Sequence, residues 1–156
     1  MKFPKYLGTC LSVAALALLS TGCEQMRVDA EVRQLCAKDG GIKVYETVAL
    51  PAAKFDKWGI VRIPNVAKAR NEDEYYYTTQ DDYYHRPGSK DLAPLEMFRT
   101  RHSIVRRSDN KILGESVRYI RTGGDYGPAH PSSFACPPIS RDTPQLETSV
   151  FHKAKQ

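Results

Sequence analysis

The sequence is short of the features that usually announce a function. Its four histidines, His85, His102, His130 and His152, are far apart, and none lies within the three-to-five-residue spacing from another that a zinc site usually displays. There is no Gly-x-Ser-x-Gly elbow around any serine and no Cys-x-x-Cys pair, so neither a nucleophilic hydrolase nor a thiol redox centre has its ordinary signature. No internal repeat is present. No apolar run reaches the roughly 20 residues that a membrane-spanning helix needs. The chain is modestly basic, with 23 Lys and Arg against 18 Asp and Glu. Both signs are mixed along it, with no stripe of the kind that grips nucleic acid.

What is present begins at the N-terminus. Lys2 and Lys5 give a positive start, and an uncharged stretch follows from Leu7 to Gly22 with its apolar heart at Leu11–Leu19. That is the length and charge order of an export signal. The stretch ends in Leu19-Ser20-Thr21-Gly22-Cys23, which resembles the bacterial lipobox, with Leu19 one position further from the cysteine than in the commonest form. The resemblance implies cleavage after residue 22 and lipidation of Cys23. An ordinary signal that leaves a free thiol is the alternative. With Glu24 and not aspartate after the cysteine, it further implies the inner leaflet of the outer membrane, facing the periplasm. Acylation at more than one position would make the anchor effectively permanent.

Processing changes the counts. Removing 22 residues leaves 134 (156 − 22), enough for one domain with a modest core. Lys2 and Lys5 leave with the signal, so 21 basic residues (23 − 2) face 18 acidic ones. Cys10 is lost and Cys23 is modified, leaving Cys36 and Cys136. In an oxidising compartment these two are expected to pair as a disulfide. A metal or catalytic pair is the alternative, and it lacks the partner ligands such sites need.

Glu24–Lys38 reads as a helix with Val28, Val32, Leu35 and Cys36 on one narrow apolar face, stopped by Asp39-Gly40-Gly41. Ile42–Val48 alternates as a strand. Ala52–Trp58 suggests a helical turn that places Phe55 and Trp58 on the core, and Ile60–Ile63 a weak strand. The chain from Asn65 to Pro94 is polar, interrupted by a strand at Tyr75–Thr79. Two further strands, Leu95–Arg107 and Leu113–Arg121, flank the turn residues Ser108-Asp109-Asn110-Lys111. A two-residue loop sets Ile104 opposite Glu115 and Arg101 opposite Arg118. A four-residue loop pairs Ile104 with Val117, His102 with Tyr119 and Arg106 with Glu115, and cross-strand pairing favours it.

These elements predict an α+β class: an N-terminal helix packed on a small antiparallel sheet with a long C-terminal hairpin, closed by one disulfide. The organisation is a signal at residues 1–22, one domain at 23–136 and a loosely attached tail at 137–156. The segments Cys36–Val48, Asn110–Arg121 and Gly123–Cys136 are similar to small lipoproteins of proteobacteria, a resemblance that carries no activity.

The Gly123–Ser133 loop is the candidate binding surface. Gly123, Gly124 and Gly127 permit unusual backbone angles, while Asp125, Tyr126 and His130 offer distinct contact chemistry. Functional residues concentrate in loops held by a scaffold; equally, glycine and proline serve a loop that only turns a corner. Tyr75-Tyr76-Tyr77 and Tyr83-Tyr84 offer a second surface, or alternate between core and solvent. No catalytic residue, metal ligand or cofactor is assigned. The expectation is a lipid-anchored binding or structural accessory factor whose partners are the membrane, through its anchor, and an envelope protein or cell-wall component, with no nucleic acid. The rivals are a small envelope enzyme acting on cell-wall material, with His130 and Asp125 as its acid–base groups, and an envelope defence factor against toxins or phage.

Overall fold

A computed structural model describes residues 24–85, 95–124, 132–138 and 145–155. The class is α+β. Helix α1 covers residues 24–39. Strands β1 (Gly41–Val44), β2 (Val48–Leu50), β3 (Tyr75–His85), β4 (Glu96–Arg106), β5 (Lys111–Thr122) and β6 (Ser133–Cys136) follow, and then a short helix α2 (Leu146–Val150) and strand β7 (Phe151–Lys153). The main sheet is antiparallel in the order β1-β5-β4-β3, and β6 also pairs with β5. A second sheet joins β2 to β7 in parallel. Among the described residues no helix is long and apolar enough to cross a membrane.

Successive strand residues face opposite sides of a sheet, and here both sides are covered. On one side Met97, Val117 and Tyr119 meet Val28, Val32 and Cys36 of α1 in a buried cluster. On the other, Tyr75, Ile104 and Leu113 pack with Leu50, Val61, Leu146, Val150 and Phe151. The second cluster lies at the end of the sheet where β3 and β5 begin. The first reaches the opposite end, where β4 begins.

Polar ties between α1 and the sheet run beside the apolar ones. The Arg121 side chain, only 6% exposed, meets Asp29 at 2.9 Å. It also donates to the carbonyls of Gly123 and Ser132. Arg99 donates to Asp39 at 2.7 Å, and the Tyr119 hydroxyl donates to the other oxygen of that carboxylate. Burial pushes the Asp39 carboxyl upward, but these two donors outweigh it and hold the group below its ordinary value. Burial and the same hydrogen bond raise the Tyr119 hydroxyl.

Several expectations are corrected. The alternation over Ile42–Val48 is broken: β1 stops at Val44, and the amides of Tyr45 and Glu46 both donate to the Leu113 carbonyl. The chain then leaves for the second sheet. The favoured register is also wrong, since Ile104 lies opposite Gly114 and Arg106 opposite Lys111. The turn sits at Arg107–Asn110, with Asn110 at φ 56°, and the register slips between Ile104 and Val105. That bulge leaves Leu113 with no opposite residue on β4 and lets it join Ile104 in one core, as bulges re-aim side chains.

Trp58 is not a core residue. Only Ala52–Lys54 turns helically, as a 3-10 segment. Phe55 then bridges to Val61, so the chain between them forms a turn with Trp58 at its tip, 65% exposed. The tail expected from residue 137 onward is not loose where it is described. Leu146 and Val150, one helical turn apart in α2, and Phe151, the first residue of β7, are all buried in the second core.

Candidate binding cleft

One edge of β5 is shared by two strands placed end to end. β1 covers it as far as the pair Gly41–Val117, and β6 resumes at the pair Cys136–Tyr119. Arg118 lies between them, at the seam. The disulfide spans this seam: Cys36, five positions before Gly41, is bonded to Cys136, with Cα atoms 5.8 Å apart. The two cysteines expected to pair therefore do so, and their bond ties α1 to the strand after the β5 turn-back.

A cavity of about 460 Å³ opens on the seam, within the size range of small-molecule pockets. Ile42 and Val44 of β1 form an apolar wall, with Val44 41% exposed. Pro137, next to the bridged Cys136, forms another part of the wall, and Ser116 and Arg118 of β5 supply the polar groups. Ser149 of α2 completes the rim. It is brought there by Gly114: a Cβ at that position would stand 2.8 Å from a Val150 methyl and 3.2 Å from Leu146. Without one, α2 can lie directly on the strand.

The Nε of Arg118 is buried and has no hydrogen-bond partner, and among the described residues no ion pair includes this side chain. A buried donor left unsatisfied costs about 1–3 kcal/mol, more when the group is charged. An anionic oxygen entering the cavity would gain a charge-assisted hydrogen bond from the part of the Arg118 guanidinium that lines it. The cleft thus pairs one cationic donor with a mostly apolar wall.

The loop chosen from the sequence lies elsewhere. Gly123 and Gly124, at φ 76° and 82°, leave the end of β5, and the loop's base is closed by a Gly123 N–H bond to the Ser132 carbonyl. Asp125, Tyr126, Gly127 and His130 lie outside the described residues, as does Cys23. Of the tyrosines, Tyr75 is buried against Phe151 with ring centres 5.1 Å apart, whereas Tyr83 and Tyr84 are exposed. Sequence reasoning missed Arg118, Pro137 and Ser149. A lone arginine in an alternating strand carries no signal until the strands on its edge are known. Among the described residues no three potential metal ligands converge. No family model, curated protein or solved structure matches the chain.

Proposed function

We propose that the protein is a lipid-anchored envelope factor, held through Cys23 in the inner leaflet of the outer membrane, that binds a periplasmic partner at the seam cleft. The observation that carries this reading is Arg118, which has a buried Nε without a hydrogen-bond partner and lines a concave, largely apolar site. Its chemistry fits a carboxylate flanked by an apolar group, as in the C-terminus of an envelope protein or the peptide part of the cell wall. In this reading α1 packed on the sheet links lipid to domain, the β4–β5 hairpin forms the frame, and the disulfide keeps the two strands at the seam in register.

The test is photo-crosslinking and capture from intact cells with the wild-type protein and with Arg118→Met. A charge-assisted hydrogen bond is worth roughly 1.5–3 kcal/mol, so the variant should capture its partner about 10- to 100-fold less well. Its circular dichroism and membrane anchoring should be unchanged. Equal capture by a folded Arg118→Met protein would rule out the cleft as the binding site.

A further inference from the structure

The described part of helix α1 starts at residue 24, which follows Cys23 in the chain, and its residues 25–29 are fastened to one end of the sheet. The Gln25 side chain donates to the Gly123 carbonyl at 3.2 Å and to the Ser132 hydroxyl at 3.4 Å. A Cβ at Gly124 would lie 2.7 Å from a Leu95 methyl and 3.0 Å from the Gln25 side chain. One turn further on, Asp29 is bonded to Arg121. Residue 23 is thus one residue from a turn that touches the end of β5, the approach to β4 and the approach to β6. Only residue 24 lies between it and Gln25 in the chain.

We infer that this end of the sheet is a bilayer-contact face, on which the domain stands with its strands rising from the lipid headgroups. The inference rests on the lipidation of Cys23 proposed above and adds an orientation to it. A cysteine held in a leaflet must bring the Gln25–Gly123–Ser132 junction to the headgroups, because each helical residue advances only about 1.5 Å. Met26, next to Gln25 and 73% exposed, adds an apolar side chain where interfacial burial would reward it. The base of the Gly123–Ser133 loop then faces lipid and not a periplasmic partner. Trp58 stands at the other end: its turn springs from Phe55 and Val61, which pack with Tyr75 and Leu113 where β3 and β5 begin. Twelve residues of β5 span about 40 Å, which carries Trp58 well clear of the membrane.

Trp58 is the chain's only tryptophan, which supplies the test. The full-length protein, purified from envelopes with its N-terminus checked by mass spectrometry, is reconstituted into phosphatidylethanolamine–phosphatidylglycerol vesicles carrying a nitroxide on the headgroup. Trp58 should keep its emission. In a Trp58→Phe, Glu96→Trp variant, which moves the fluorophore to the start of β4, emission should be lost on vesicles and retained in detergent without the nitroxide. Acylated protein that quenches equally at both positions, or at neither, overturns the orientation while leaving the anchor standing. An unmodified Cys23 overturns the anchor, and the orientation with it.

Discussion

Gly114 is the point at which the second core depends on a missing methyl group. In Gly114→Ala the new Cβ would sit 2.8 Å from a Val150 methyl, 3.1 Å from the Lys43 carbonyl oxygen and 3.2 Å from Leu146. Val150 is fully buried and β-branched, so it has little rotamer freedom with which to retreat. The Lys43 carbonyl belongs to a paired strand. Overpacking of this kind typically costs about 1–3 kcal/mol. Alanine stiffens the unfolded chain and returns about 0.4–1 kcal/mol. The net expectation is a loss of up to roughly 2.6 kcal/mol. Val150→Ala alone leaves a cavity and costs about 1–3 kcal/mol. In the double variant the clash and the cavity offset each other, so the combined loss should fall short of the sum by about 1 kcal/mol. Urea unfolding of the oxidised protein, followed by far-ultraviolet circular dichroism, measures all four corners of the cycle. Losses that add to within about 0.5 kcal/mol would show that α2 does not press on Gly114, and the account of the rim of the cleft would fail with it.

Two further outcomes follow from the ties between elements. The disulfide closes a separation of 100 positions, for which chain entropy allows up to about 4.7 kcal/mol; Cys36→Ala with Cys136→Ala should lower the melting temperature by on the order of 10 °C in calorimetry, and a fall under about 2 °C would contradict the bridge. The Asp39 carboxyl is held below its ordinary value of 3.8, the Tyr119 hydroxyl and Arg99 outweighing burial, so its contribution to stability is present above pH 3.8 and disappears as the pH drops through the lower folded value. Asp39→Asn should flatten the acid limb of the stability profile in that range, and an unchanged limb would remove Asp39 from the account.

The helix was legible because its signal is local: Val28, Val32 and Cys36 recur at helical spacing, and all three are buried. The cysteine pairing followed from counting and from the expectation of an oxidising compartment. The α+β class followed from the mix of periods. What failed was non-local. Nothing between Ile42 and Val48 reveals that the strand must break, because the break answers a bulge at Leu113 far along the chain. Trp58 looked apolar enough for a core, but Phe55 and Val61 pair with each other and leave it at a tip. Leu146, Val150 and Phe151 were too few to suggest a buried segment, though their spacing was visible. The cleft at Arg118 exists only because β1 and β6 stop one residue short of each other on the same edge, a coincidence of pairing that no single stretch of sequence encodes.

The parallel pairing of Val48–Leu50 with Phe151–Lys153 also has a consequence for how the protein is made. The Ala154 amide donates to the Leu50 carbonyl, so the last described residues close a core whose other members precede them by up to a hundred positions. Under the export proposed above, a chain threaded N-terminus first through a membrane would have Leu50, Tyr75 and Leu113 across long before Val150 and Phe151 arrive. Contacts at such separations form slowly, which would suit a polypeptide kept unfolded during such transit. It also makes the last described residues a marker of completion: a chain broken off before Leu146 would leave that core open and present it to proteases.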